Sequence, residues 1–295
     1  MKVMVLVCAL VVSGLVAGCA DNPANVRVLA SAIRTVSNDA PEVVAGDQAL
    51  CEQNALLQKE YKKIEHQSLP PPPCTDLAGV LTAILVENKA LKAYGQALSN
   101  IAQNQFVTVD TDAKSVTTSL QRANVVPAPV VAAVGSVFSL VETAALKGYR
   151  QKELSKALTG KPAVAVQTVM ASYAQLATQY SRALVSYREN IDLVKNAIAH
   201  CPKHKKTITP CHTQQEPVAV TELWFRLTAL QDSAASKSDA IKAFSMAVDK
   251  VKPAFNAAAQ DLTNPNPKEI YQAVKIFATQ VKDANDKLKK AFGTP

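Results

Sequence analysis

The sequence predicts an all-α fold, namely a bundle of long antiparallel helices stapled by disulfides. Of its 295 residues only 9 are glycine and 5% are aromatic. Apolar residues recur at intervals of three and four rather than two, which is the period of an amphipathic helix. With 48% hydrophobic residues, the chain is long enough to bury a sizeable core. These observations favour helices that pack side by side on their apolar faces.

The N-terminal half is predicted to contain five helices of unequal regularity. Pro41 separates the first two, because proline lacks a backbone donor and clashes with the preceding turn. Thr75 or Asp76 caps the third, which carries leucine and isoleucine at helical spacing. The predicted ranges are 24–38, 42–66, 76–104, 111–123 and 129–159. The one strand-like run is 106–109, and it stands alone.

The C-terminal half has the clearest helical periodicity. In 163–200 the apolar residues step by threes and fours, a pattern that needs partner helices at shallow crossing angles, as in coiled coils. Within 216–263 we expect a kink at Pro253 and an interruption over the polar run 231–239. The last helix begins near Pro267, a residue that suits a first helical turn.

Residues 1–19 have the zones of an export signal. Lys2 supplies the positive charge, an apolar run follows, and small residues precede Cys19. The ending Leu15-Val16-Ala17-Gly18-Cys19 resembles the lipobox of bacterial lipoproteins. The resemblance implies cleavage of the signal peptide 1–18 and attachment of palmitate and other acyl chains to Cys19. A secretory signal that ends in cysteine, or an uncleaved anchor, is the alternative.

The lipobox resemblance also sets the expected organisation and location. Residues 19–25 become a lipidated tether, and 26–295 form the bundle, with a division into sub-bundles 26–123 and 129–295 as one option. Because residue 20 is Ala rather than Asp, the resemblance favours the outer membrane. The predicted location is the cell envelope, with the bundle facing the periplasm.

Four cysteines remain once the signal and the lipidated residue are set aside, and an even number in an oxidising compartment predicts two disulfides. A helix over 51–66 covers roughly 23 Å, and the extended return path from Gln67 to Cys74, which contains four consecutive prolines, covers roughly 22 Å. This geometry favours the Cys51–Cys74 pair. The second pair, Cys201–Cys211, closes a short loop between two helices.

Val125–Val141 is the most apolar stretch outside the signal and contains no charged residue. With two prolines and a glycine inside it, the stretch is marginal as a membrane span. We interpret it as a helix surrounded by other helices. The alternative is a segment that inserts into a bilayer, as in helical pore-forming proteins, which would make the chain membrane-active.

Two further groups of residues are candidates for binding. The loop from His200 to His212 contains the soft ligands of a possible zinc site, but disulfide formation would remove its thiolates, and its lysines would repel a cation. The lysines themselves suit phosphate or an acidic partner. The tyrosines repeat every seven residues, which is typical of a core stripe or of a peptide- or glycan-binding ladder. These candidates are Lys203, Lys205, Lys206, Tyr173, Tyr180 and Tyr187.

The sequence favours a non-catalytic function. It contains no nucleophile elbow, zinc-protease helix, phosphate-binding loop or dinucleotide fingerprint, so we predict no catalytic residue, no metal site and no cofactor. The formal charge of +8 is scattered along helices beside acidic residues, and export argues against nucleic acid. The expected partners are the membrane, through Cys19, and another envelope protein. No oligomeric state is predicted.

Overall fold

The computed structural model describes residues 22–65, 77–103, 128–145, 150–200, 217–263 and 267–293. Within these ranges the secondary structure is helical and no β-strand occurs, which confirms the all-α prediction. The predicted signal, the strand-like run 106–109 and the predicted helix 111–123 lie outside them. The described helices are α1 (Asn22–Glu65), α2 (Leu77–Ala102), α3 (Ala128–Ala145), α4 (Arg150–Thr159), α5 (Lys161–His200), α6 (Pro217–Asp249), α7 (Val251–Thr263) and α8 (Pro267–Phe292).

The long helices form two four-helix groups that share α1 and α5. In one group α1 packs on α5, α5 on α6, α6 on α8, and α8 on α1. In the other, α1 packs on α2, α2 on α3, and α3 on α5. The short helices α4 and α7 pack on each other and on the long helices nearby. The architecture is therefore a helical bundle in which α1 and α5 are the central pair.

Contacts between the helices set their directions. α6 runs antiparallel to α5, because Lys195 meets Gln231 whereas the ring of Tyr173 meets that of Phe244. α1 runs in the same direction as α5. Asn190 of α5 donates to Asn54 of α1 at 2.8 Å, and Tyr180, earlier on α5, lies near Asp47, earlier on α1. The expectation of an antiparallel bundle thus holds for α5 and α6 but not for the central pair.

One hydrophobic core extends through the bundle and contains residues from all the described helices. Aliphatic side chains of α1 and α2 belong to it together with aromatic side chains of α5 to α8. The predicted division between 26–123 and 129–295 falls at 124–128, of which only Ala128 is described, and the core includes side chains from both sides. The largest fully buried side chains are Tyr94, Tyr173, Tyr180, Tyr187, Phe244, Phe255, Phe277, Leu29, Ile33, Leu50 and Leu91.

Helix α1 is a single helix of 44 residues with Pro41 inside it, so the predicted separation at Pro41 is wrong. Proline removes the hydrogen bond to the carbonyl of Ser37, which disfavours an isolated helix here. On both sides of Pro41, however, the helix buries residues such as Val36 and Val43 in the core. Packing in the tertiary structure therefore outweighs the local penalty.

Two predictions were made for 216–263, and they have different outcomes. Helix α6 runs unbroken through 231–239, so the predicted interruption there is wrong. A break does occur at Lys250, whose N–H bonds to Ala247 at 3.1 Å before α7 begins. Pro253 is the third residue of α7 and so lies in its first turn, where a backbone N–H has no intrahelical acceptor and proline is tolerated.

The described chain begins inside the segment predicted to be a tether. Helix α1 starts at Asn22, and the side chain of Asn25 donates to Asp261 of α7 at 3.1 Å. Residues 22–25 therefore belong to the bundle, and only residues 20 and 21 separate it from Cys19.

Candidate functional site

The candidate site is a groove between the C-terminal part of α1 and the N-terminal part of α6. It has a volume of about 350 Å³. Its described lining is mostly aliphatic, with polar side chains among the leucines. These lining residues are Gln53, Leu56, Leu57 and Glu60 of α1 and Leu223, Arg226, Leu227, Ala229 and Leu230 of α6.

The groove lies where α8 no longer separates α1 from α6. Gly46 of α1 faces the ring of Phe292 at the end of α8, and the ammonium group of Lys237 in α6 lies 5.9 Å from the centre of the same ring. The groove begins seven residues beyond Gly46 on α1 and seven residues before Lys237 on α6, about 10 Å further along each helix. The end of α8 therefore leaves the facing sides of α1 and α6 without that helix between them.

Several apolar side chains at this end of the bundle are exposed to solvent. The side chain of Leu56 is 61% exposed and that of Phe225 is 68% exposed, whereas Leu227 on the groove floor is buried. Phe225 and Ala229 are four residues apart and so lie on the same side of α6. Trp224 instead meets α5, where the ammonium group of Lys195 lies 5.1 Å from its ring. The groove and Phe225 thus form an apolar surface, the kind of surface that marks interaction sites.

The three tyrosines predicted as core or as a binding ladder are buried in the core. The hydroxyl of Tyr173 donates to Asn88 of α2. Among the described residues, the hydroxyls of Tyr180 and Tyr187 have no hydrogen-bond partner. Burial, and then the charge of Asp47, raises the pKa of Tyr180 well above its ordinary value. Because all three rings lie inside the bundle, this placement agrees with the core interpretation.

Acidic side chains inside the bundle have raised pKa values. Ser172 of α5 donates to Glu87 of α2 at 2.9 Å, and burial raises the pKa of Glu87 to about 7 although this hydrogen bond opposes the shift. Burial raises the pKa of Asp47 to about 6. Burial, followed by the nearby Glu42, raises the pKa of Asp39 to about 7. These carboxyl groups are buried in helix–helix contacts and do not line the groove.

A second cavity, also of about 350 Å³, lies between α6 and α8 and has a different character. Its described lining includes Lys242, Gln280 and the ion pair between Lys287 and Asp283, whose atoms lie 2.8 Å apart. Both members of that pair are about half exposed, so the pair contributes little to stability. This cavity is charged and offers less apolar surface than the groove.

Helix α3 contains most of the apolar stretch 125–141. Val130, Val134 and Val137 are buried, whereas Ala128 and Ala132 are exposed. One side of α3 thus packs on α2 and α5, and another side meets solvent, rather than the helix being surrounded on all sides. Among the helices that the structure describes, none is long and apolar enough to cross a membrane.

The remaining predicted site residues lie largely outside the described residues. Cys51 is in α1, partly buried and two residues before the groove, whereas the other five cysteines are not described. The same holds for the lysines of the 201–216 loop, so the disulfide pairs and the phosphate-binding loop stay predictions. Across the described part of the chain, no group of three histidine, cysteine, aspartate or glutamate residues is placed to hold a metal ion.

No family model matches the chain, and no curated protein or solved structure is detectably similar to it. The groove was not among the sites predicted from the sequence. Its α6 wall was recognisable as the stripe Leu223, Leu227 and Leu230, but that stripe indicates a core helix. Nothing in the spacing shows where the end of α8 lies relative to α1 and α6. The partial exposure of this stripe could therefore not be predicted from the sequence.

Proposed function

We propose that the protein is a non-catalytic helical binding module of the bacterial cell envelope. Lipid on Cys19 would hold it at the outer membrane with the bundle in the periplasm, and the groove would bind another envelope protein. The observation that carries the proposal is the groove, with exposed Leu56 on one wall and exposed Phe225 beside the other. An exposed apolar surface of this kind suits protein binding better than catalysis.

The length of α1 sets the distance between the predicted lipid anchor and the groove. Leu56 follows Asn22 by 34 residues of continuous helix, which span about 50 Å. The lipid-bearing residue and the groove would therefore lie at opposite ends of α1. In this proposal α1 is a rigid spacer that presents the groove well away from the membrane surface.

The two predicted disulfides fit this arrangement. Cys51 stands just before the groove on α1, and a bond to Cys74 would tie down the chain that leaves α1. A bond between Cys201 and Cys211 would restrain the connection from α5 to α6, whose first turns form the other wall. Mass spectrometry of the unreduced mature chain tests both bonds, since each bonded cysteine lacks one hydrogen.

Site-specific photo-crosslinking in cells tests the binding function. A photoreactive amino acid at position 56 is expected to give an adduct with another envelope protein, and Phe225→Ala is expected to weaken it. The matched control is position 164 of α5, because Val164 is also 61% exposed and lies near the opposite end of the bundle. Equal adducts at both positions, or no protein adduct at position 56, would rule the groove out as the binding site.

Membrane attachment and membrane activity are tested separately. Cys19→Ser is expected to abolish metabolic labelling of the protein with palmitate without changing its fold. Dye release from liposomes by the purified protein, abolished by Val131→Asp in α3, would instead favour the membrane-active alternative. Neither result depends on the crosslinking experiment.

A further inference from the structure

The two walls of the groove have the spacing of helix-packing faces. On α1 the lining residues fall at 53, 56, 57 and 60, and on α6 they include 223, 226, 227 and 230. Both sets follow the i, i+3, i+4, i+7 pattern, in which side chains lie along one side of a helix. Each wall is thus a stripe of the kind that packs against another helix, and the two stripes face a common groove.

Helix α8 already occupies the adjoining part of the same space. It packs on both α1 and α6, and its buried residues include Val274, Phe277, Val281, Ala284 and Leu288. These positions also step by threes and fours. The groove continues this interface beyond Phe292 along the same two helices. In the adjoining part of the interface, the structure that packs between α1 and α6 is the amphipathic helix α8.

The dimensions of the groove also suit a helix. The lining of each wall spans eight residues, which is about 10 Å or two helical turns. An incoming helix with apolar side chains at i, i+3 or i+4, and i+7 would contact the groove along its whole length. Arg226 on the α6 wall adds a positive charge and Glu60 on the α1 wall adds a negative one, so the groove as a whole is not cationic. Near the α6 wall, Arg226 favours an acidic residue on the side of the incoming helix that faces α6.

We propose that the groove is the docking site for an amphipathic helix of the partner protein, bound end to end with α8. The helix would place a short row of aliphatic side chains between Leu56 and Leu227 and an acidic side chain near Arg226. This inference rests on the proposed function and names the class of partner. It is an instance of helix-in-groove recognition.

A peptide-binding experiment on the full-length protein in lipid nanodiscs tests the inference. The probe is a fluorescein-labelled peptide with the sequence of residues 267–292, because its apolar face already packs between α1 and α6. A second peptide of the same composition has the order of residues changed so that the apolar stripe is broken. The first peptide is expected to raise the fluorescence anisotropy saturably, and the second is not.

Two protein variants locate the bound peptide. Leu56→Glu is expected to weaken binding by about tenfold or more, since it places a charge in the centre of the apolar wall. Val164→Glu, at an equally exposed site remote from the groove, is expected to leave binding unchanged. Circular dichroism of both variants checks that the fold is intact.

The inference is overturned by absent saturable binding, by equal binding of the two peptides, or by equal effects of the two variants. A fluorescent fatty acid that binds the wild type, loses affinity in Leu56→Glu and excludes the peptide would identify a lipid site instead. Dimerisation of the protein that Leu56→Glu abolishes would identify a second copy as the occupant. In these last two cases the helix inference fails, while the crosslinking result still decides the proposed function.

Discussion

Tyr173 and Tyr180 occupy equivalent positions one heptad apart on α5, yet their hydroxyls have different surroundings. The hydroxyl of Tyr173 donates to Asn88, whereas that of Tyr180 has no partner among the described residues. A buried polar group without a partner lowers stability, and a buried acceptor that loses its donor does the same. Two chemically identical substitutions should therefore have different effects on the free energy of unfolding.

We expect Tyr173→Phe to lower the free energy of unfolding by about 1 to 3 kcal/mol, because the Asn88 oxygen is left without its donor. Tyr180→Phe should leave it unchanged or raise it by up to about 1 kcal/mol, because only an unpaired hydroxyl is removed. Urea unfolding of both variants measures the difference. A larger loss for Tyr180→Phe would show that its hydroxyl is hydrogen-bonded, for instance to an internal water.

Glu87 links stability to pH. Its side chain is 2% exposed, and burial raises its pKa from 4.5 to about 7. Below pH 4.5 the carboxyl is protonated in both the folded and the unfolded state. Between pH 4.5 and about 7 the folded protein keeps a proton that the unfolded chain has lost, so stability falls as pH rises. Across this window the loss amounts to about 3 kcal/mol.

Glu87→Gln should remove this contribution, because glutamine is similar in size and does not ionise. We expect the variant to lose less stability than the wild type between pH 5 and pH 8 and to be the more stable protein at pH 8. Urea unfolding at the two pH values measures the effect. Glu52→Gln is the control, since Glu52 is exposed on α1, and an equal slope in all three proteins would contradict the assignment.

At the scale of single helices, Pro41 and Pro253 form a natural comparison. Pro41 lies inside α1, where its missing N–H leaves the carbonyl of Ser37 without an intrahelical donor. Pro253 is the third residue of α7, a position whose N–H has no intrahelical acceptor in any helix. Replacing proline by alanine therefore restores a hydrogen bond in one helix only.

Pro41→Ala is expected to raise the free energy of unfolding by about 1 to 2 kcal/mol, which combines a restored hydrogen bond with the loss of proline's restriction of the unfolded chain. Pro253→Ala is expected to change it by less than about 0.5 kcal/mol. Thermal and urea unfolding of both variants give the comparison. If Pro41→Ala destabilises α1, then the local geometry around Pro41 is required by packing with its neighbours.

The same helices show how far the sequence predicts this fold. Helix α5 was predicted as 163–200 and extends over Lys161–His200, because its apolar stripe is regular and unbroken. Helix α1 was divided at Pro41, because a local rule was applied where core packing decides. The groove was not predicted, since it depends on where α8 ends relative to α1 and α6. Such relations between helices distant in sequence leave no mark in local spacing.

At the scale of the whole molecule, α1 and α5 belong to both four-helix groups. Neither group can be removed without taking away two helices from the other, and the core contains side chains from both. We therefore expect the full chain to unfold in one cooperative transition. Differential scanning calorimetry should show a single peak with equal calorimetric and van't Hoff enthalpies, whereas two separate peaks would indicate independent sub-bundles.

A fragment experiment tests the same point from the other direction. Residues 128–293 contain α3 to α8 but lack α1. The buried Tyr180 and the partly buried Phe292, which meet α1 residues in the intact bundle, would therefore become more exposed to water. Because apolar burial is the main term that stabilises a fold, we expect this fragment to lack the near-ultraviolet circular dichroism and the sharp unfolding of the intact chain. A fragment that unfolds cooperatively with a native-like spectrum would show that the bundle divides near residue 128, and that the shared central pair is not essential to either part.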